Sequence, residues 1–363
     1  MKRIEVKEED LIYNLNSIKK FIKDDTKIIA VVKANGMGLG LIEYSNFLVQ
    51  NGIDCLAVAN IEEAILLRNA GITTEILMLT PSNSENELKL LIENNITITI
   101  GNLDELLIAE NICKNNNFQI KAHIKIDTGF GRYGFLYTEK DNILSVFKNS
   151  ANVKIDGIFT HFSNPIDEKF TENQFARFNN CIKFIKENGF EVNVIHACAT
   201  TATMKYPHMQ LNAVRIGSGI QGRVLINKDK FKKVGIFKAN INEIKYLPKG
   251  YNISYNNIYK TKRESKIAII PVGYIDGLNR NKLRDDFTLK NNIICAILEI
   301  RKIFMDNSLK IKINDKKYKI IGKLGMFHAI VDITGSSDIN VGDEVVLDVA
   351  PIQANDEIRR EYI

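Results

Sequence analysis

IIAVVKANGMGLG, residues 28–40, is a short β-branched run stopped by a single lysine and followed by glycines. A continuous apolar run of this length suits a strand buried on both faces, as in a parallel sheet. Lys33 then falls at the carboxyl end of the strand, where parallel α/β folds place their active sites. A lysine half-buried there has a depressed pKa and can serve as a nucleophilic amine that forms Schiff bases. A lone strand-end lysine otherwise snorkels to water, so its meaning depends on what the rest of the chain brings to it.

Outward from this stretch, short apolar runs alternate with amphipathic helical patterns. The candidate strands are Ile28–Lys33, Cys55–Ala59, Glu75–Leu79, Ile96–Ile100, Ala122–Asp127, Gly157–Phe162, Val192–Ala197 and Ala213–Ile216. Helical patterns such as Glu62–Ala70, Leu103–Lys114 and Phe170–Asn188 lie between them. Eight strands in βα alternation over about 220 residues match the count and size of a (β/α)8 TIM-type barrel. A doubly wound sheet is the rival, but GMGLG does not fit the G-x-G-x-x-G fingerprint that normally opens one. From about Asn227 the texture changes to alternating apolar and polar residues, as in Ala239–Leu247, Lys266–Pro271, Leu309–Ile313 and Lys316–Ile321. Asn314-Asp315 between two such runs is a hairpin signal, and a helical insertion is expected near Phe287–Glu299. The chain therefore divides into an α/β barrel over residues 1–228 and a mostly antiparallel β domain over residues 229–363.

Composition narrows the function classes. The chain has 363 residues, 45% hydrophobic and 25% charged, with a formal net charge of +6 spread through isolated lysines. No Lys/Arg run interleaved with aromatics appears, so no nucleic-acid partner is expected. No stretch approaches about 18 consecutive apolar residues, and MKRIEVKEED carries no apolar leader, so a cytoplasmic protein without a membrane segment is expected. The five cysteines are scattered, which suits reduced thiols, and the five histidines form no HxxxH or HxH pattern, so no metal is expected.

In a barrel, the residues that end the strands face one pocket. In order these are Lys33, then Lys125 and Asp127 with Arg132 just after, His161, His196 with Thr200, and Arg215. They form a largely cationic ring around a lysine. IGSGIQG, residues 216–222, follows the eighth strand, where such barrels bind phosphate through bare backbone N–H groups. A Schiff-base lysine facing a phosphate cradle points to pyridoxal phosphate or a phosphorylated carbonyl substrate.

These segments resemble the alanine racemase family, fold-type III pyridoxal-phosphate enzymes with a barrel followed by a β domain. The matching stretches are VVKANGMGLG around Lys33, HIKIDTGFGRYGF (123–135), GIFTHFS (157–163), HACATTATMKYP (196–207), LNAVRIGSGIQG (211–222), ISYNNIYKT (253–261) and IPVGYIDG (270–277). The resemblance implies that Lys33 holds the cofactor covalently and acts as one catalytic base. Tyr255, in a segment of β texture, would be the opposite-face base, serving the partner subunit's site and tuned by His161. Arg215 would face the pyridine nitrogen, and Arg132 would contact the cofactor and the substrate carboxylate. Lys125, carbamylated in some relatives, would orient Arg132. Thr200, Gly217 and Ser218 would hold the phosphate. The Met326 backbone would contact substrate from the partner, and Tyr274 and Arg280 would line the entrance. Some positions depart from the family pattern: Met37 replaces a phosphate-contacting tyrosine, Ala199 an asparagine and Thr200 a serine, and Gly325 and Phe327 stand where many relatives carry cysteine and aspartate.

Racemisation removes a proton from Cα on one face and returns it on the other, so two bases must flank the substrate. An arginine at the pyridine nitrogen keeps its proton and favours racemisation over the chemistry of related decarboxylases, which carry a carboxylate there. The expectation is a homodimeric racemase with shared active sites acting on a small amino acid, alanine first. Serine or a larger or basic amino acid is the alternative substrate. A non-catalytic pyridoxal-phosphate-binding protein and a Schiff-base aldolase are readings from other classes, and Tyr255 on a second domain argues against both.

Overall fold

The structure, a computed structural model, describes residues 1–279, 288–304 and 309–363. Residues 7–234 form one compact unit, and residues 1–6 with 235–363 form a second. The chain opens with β1 (Lys2–Val6), and then come β2 (Lys27–Val31), β3 (Cys55–Val58), β4 (Glu75–Met78), β5 (Ile98–Ile100) and β6 (Ile120–Asp127). The short β7 (Phe135–Leu136) precedes β8 (Val153–Phe159), β9 (Val194–Ala199) and β10 (Ala213–Ile216).

In the first unit, hydrogen-bonded neighbours run β4-β3-β2-β10-β9-β8-β6-β5, and every pairing is parallel. The parallel bridge Leu77–Thr97 closes the ring between β4 and β5. Met78 N–H donates to Thr97 O at 2.9 Å, and Thr97 N–H donates to Ile76 O at 2.9 Å. This is the eight-stranded barrel expected from the alternation. Helices return the chain between strands, and their starts are written in the sequence. Asn60, Ser84, Asn102 and Asp167 each cap a helix by accepting the N–H three residues on. Ile29, Ala57, Leu77 and Ala213 from four strands pack into one buried cluster.

The second unit continues with β11 (Ile236–Asn240), β12 (Glu243–Leu247), β13 (Ser265–Ile270), β14 (Lys310–Ile313), β15 (Lys316–Lys319), β16 (Ala329–Asp332), β17 (Glu344–Leu347) and β18 (Arg359–Tyr362). A six-stranded sheet has the order β15-β14-β17-β11-β1-β18, and a three-stranded sheet the order β12-β13-β16. The run read as one segment, Ala239–Leu247, is split between the two sheets. Ile241 N–H bonds to Asp343 O, whereas Asn242 N–H bonds to Ile269 O, so the chain changes partners there. The first six residues join this unit because β1 pairs with β11 and β18. Asn314 and Asp315 turn β14 into β15 with φ of +47° and +63°, the left-handed pair a tight hairpin requires. The insertion forms the helix Leu289–Phe304, which leaves Leu289, Ile293, Ile297 and Ile300 exposed. Among the described residues no helix is long and apolar enough to cross a membrane.

Candidate active site

Strand β2 stops at Val31, and Lys33 opens a turn rather than ending the strand. Ala34, Asn35, Gly36 and Met37 all have φ between +53° and +63°, a run of left-handed backbone. That conformation costs a non-glycine residue roughly 1–2 kcal/mol, so neighbours must hold it. Asn35 N–H donates to Glu63 Oε1 at 2.8 Å, and Asn35 Oδ1 accepts Leu41 N–H at 2.8 Å. Gln221 Nε2 donates to the carbonyls of Gly36 and Met37 at 3.2 and 3.1 Å. Burial lowers the Lys33 pKa; the nearby Arg132 and Arg215 cations lower it further, and Glu63 opposes them.

The loop after β6 wraps around one carboxylate. Asp127 accepts the N–H groups of Gly129, Phe130, Gly131 and Arg132 at 2.8 to 3.1 Å. Burial alone raises its pKa, but these four donors outweigh that and hold it below its ordinary value. The loop places Arg132 over the Phe130 ring, 4.3 Å from its centroid. Lys125 lies against the faces of Phe159 and Tyr133, and burial together with Arg132 and Arg215 pulls its pKa down to about 8.

Arg215 is 3% exposed and held from several sides. Its Nη1 donates to His196 Nδ1 at 2.6 Å, and its Nη2 to His161 Nδ1 at 3.0 Å and to Thr160 O at 2.7 Å. Further bonds go to the carbonyls of His196 and Ala197 at 3.3 and 3.0 Å. Burial draws the Arg215 pKa down to about 10, which leaves it cationic at neutral pH. Since arginine only donates, both histidines present bare Nδ1 atoms to it, and each carries its proton on Nε2. His196 Nε2 lies 2.9 Å from His123 Nδ1, so the same logic passes one step deeper. Burial, followed by Arg215, keeps His161 and His196 neutral, with the His161 pKa lowered to about 3 and that of His196 well below its ordinary value. Beyond His123, the Lys121 ammonium sits between the carboxylates of Glu75 and Asp156, at 3.6 and 3.5 Å.

Lys33, Lys125, Arg132, His161, Thr200, Arg215, Gly217 and Ser218 all line one cavity of about 410 Å³. Among the described residues, Arg215 Nε–H has no protein acceptor, so this donor is left for an acceptor in the cavity. A pyridine nitrogen is such an acceptor. At the loop after β10, Thr200 Oγ1 accepts Gly219 N–H at 3.3 Å and keeps its own proton to donate. A Cβ on Gly217 would come within 2.8 Å of Met37 Sδ, so the glycine lets the loop pass close to that side chain without moving it. The donor set fits pyridoxal phosphate: an amine of lowered proton affinity, an unengaged guanidinium N–H, and a hydroxyl and glycine loop for phosphate.

The remaining sequence-predicted residues lie on the second unit. Tyr255 is not in a strand but in a single 3-10 turn, Tyr255–Asn257, because Ser254 and Asn256 adopt φ of +64° and +65°. Ser254 Oγ bonds to Lys323 O at 2.6 Å, while Tyr274 N–H bonds to Gly325 O at 3.1 Å. Tyr255, Tyr274 and Met326 are therefore anchored on one loop system, 65%, 50% and 49% exposed. Arg280 lies outside the described residues.

The model of the alanine racemase N-terminal domain matches residues 6–223, and that of the alanine racemase C-terminal domain residues 234–359. This chain belongs to the alanine racemase family. It is 32% identical over 343 residues to an alanine racemase of Methanococcus maripaludis, covering 92% of this chain and 85% of that one. It is likewise 32% identical over 357 residues to alanine racemase 2 of Caldanaerobacter subterraneus, covering 95% and 84%. The solved alanine racemase of Clostridium difficile superposes with a TM-score of 0.88 at 27% identity, covering 100% of this chain and 95% of that one. The Bacillus anthracis alanine racemase, solved with bound L-Ala-P, gives a TM-score of 0.82 at 27% identity over 95% and 85%. Within this alanine racemase fold, sequence reasoning passed over Glu63 and the inner His123. Glu63 reads as a helix-capping residue, and His123 as one more position on a buried strand.

Proposed function

We propose that this chain racemises alanine as a homodimer, with pyridoxal phosphate held on Lys33. The observation that carries the reading is a single cavity lined by an amine of lowered pKa, the unengaged Arg215 N–H and the Gly217-Ser218 turn. Bound there, pyridoxal phosphate supplies an electron sink that acidifies the Cα–H of an attached amino acid. Lys33 takes or returns that proton on one face, and its lowered pKa enlarges the fraction of free amine that a base needs. We assign the opposite face to Tyr255 of a second copy, since it stands exposed on its turn. His161, with its proton on Nε2, is a donor that favours the phenolate form of a tyrosine brought to it. Arg215 stays cationic and donates without giving up its proton, which limits electron withdrawal at the ring nitrogen and favours return of the proton to Cα.

Arg132, oriented by Lys125, and the Met326 backbone of the second copy take the substrate carboxylate in this reading, with Tyr274 and Arg280 at the entrance. Thr200, Ser218 and Gly217 take the phosphate. Met37 cannot donate there, so cofactor affinity rests on the remaining donors. Cys55, Cys113, Cys181 and Cys198 form no disulfide, which suits a reducing compartment, and the reading places the enzyme in the cytoplasm.

The purified protein, supplied with cofactor, is tested for Cα proton–deuterium exchange on a panel of amino acids in D₂O. Exchange and loss of optical rotation are expected for alanine first. Tyr255→Phe should lower turnover about 10²–10⁴-fold and keep the visible band of the bound cofactor, whereas Lys33→Ala should lose that band. Bound cofactor with no Cα exchange on any amino acid sinks the racemase reading.

A further inference from the structure

Two helices of the barrel begin with the same pattern, Asn-x-x-Glu, and use it differently. At Leu103–Asn116 the pattern closes on itself: Asn102 accepts Glu105 N–H at 2.9 Å, and Glu105 Oε2 accepts Asn102 N–H at 3.2 Å, a complete capping box. At Ile61–Asn69, Asn60 still accepts Glu63 N–H, at 3.3 Å. The Glu63 carboxylate, however, reaches across to Asn35 N–H at 2.8 Å, two residues beyond Lys33. A left-handed run such as 34–37 persists only where its surroundings hold it. Neutral side-chain amides, from Asn35 itself and Gln221, also hold this run. Glu63 alone among these clamps brings charge, and it brings it beside a lysine that two arginines disfavour as a cation.

We propose that Glu63 is a positioning residue for Lys33, anchoring the left-handed turn through Asn35 and offsetting the positive field of Arg132 and Arg215. The proposal rests on Lys33 being the reactive amine of the proposed function. Glu63→Gln keeps a carbonyl acceptor and removes the charge, whereas Glu63→Ala removes both.

The test uses the full chain treated with hydroxylamine to expose the Lys33 amine. Competitive acetylation across pH, read at Lys33 by mass spectrometry, gives its titration. Hydrogen exchange of amides 34–40 reads the turn. Both variants should lower the Lys33 pKa by about half a unit or more, roughly a threefold gain in free amine below that pKa. Exchange at 34–40 should accelerate in Glu63→Ala and stay near wild type in Glu63→Gln. A helix cap and nothing more would shift melting temperature in both variants without moving the Lys33 titration. An unmoved Lys33 titration, or amides no faster in Glu63→Ala, overturns the proposal. Borohydride reduction of the wild-type protein with pyridoxal phosphate separates the two readings. If Lys33 does not take up the cofactor mass, the functional reading fails, and the titration still decides the role of Glu63.

Discussion

Lys125 is surrounded by aromatic faces and by cations, and water is largely excluded from its amine. Burial removes its solvation, and Arg132 and Arg215 add repulsion, which together bring its pKa to about 8. Near pH 8 about half of it is therefore uncharged. A neutral lysine amine adds to carbon dioxide and releases one proton, giving a carbamate whose negative charge would suit the Arg132 side of the cavity. The expected outcome is a protein-bound carbamate signal by ¹³C NMR in labelled bicarbonate, growing as pH rises from 7 to 8.5 and missing from Lys125→Met. An unlabelled wild-type protein at pH 8.5 would remove the carbamate from the site.

At the level of elements, the strand pair β6–β8 shows why a small residue is needed inside the barrel. Its register runs Ala122 to Ile155 and then His123 to Gly157, so Asp156 is bulged out of the ladder. The His123 ring lies where a side chain at 157 would start, and a Cβ there would come about 2.5 Å from its Cδ2 and Nε2. The ring cannot swing away without giving up its bond to His196. Gly157→Ala should destabilise the protein by about 1–3 kcal/mol, read as a lower urea midpoint, and His123→Ala in the same chain should recover part of it. A Gly157→Ala protein as stable as wild type contradicts this packing.

The same pair marks the limit of what was legible in sequence. The apolar runs announced the eight strands because both faces of a barrel strand are buried, and the amphipathic patterns between them announced the helices. A glycine in KIDGIFT signals close approach, yet which ring approaches depends on a strand distant in sequence. Lys33 was legible as the polar residue that stops the apolar run, but the left-handed turn it opens is held by Glu63 and Gln221, neither of which neighbours it in the chain. Tyr255 stands on a turn and not in the β segment that its surroundings suggested, because Ser254 and Asn256 take positive φ.

For the whole molecule, the barrel interior makes stability depend on pH in a window set by histidine. His123 and His196 are fully buried, with the His123 pKa lowered by burial to about 4 and that of His196 well below 6.5. His161, lowered to about 3 by burial and then by Arg215, acts in the same direction. Each is neutral in the folded state and takes up a proton near pH 6.5 once unfolded. Between those values the unfolded chain binds more protons, so stability rises with pH; it is fully present above about 6.5 and drains away as pH falls toward 4. Each buried histidine contributes a slope of up to about 1.4 kcal/mol per pH unit in that window. Asp127 and Asp156, whose pKa values lie below 3.8, draw on the same reserve only under more acid conditions. Urea denaturation of the cofactor-free protein at pH 7.5, 6.0 and 5.0 should show a midpoint that is flat above 6.5 and falls steeply below it. His196→Gln, which keeps hydrogen-bonding groups but cannot titrate, should flatten the slope between pH 6 and 5. A midpoint that holds constant down to pH 4.5 would mean that the column from Arg215 to His123 is already protonated in the folded protein. The tautomers that fix Arg215 at the cavity would then have to be reassigned.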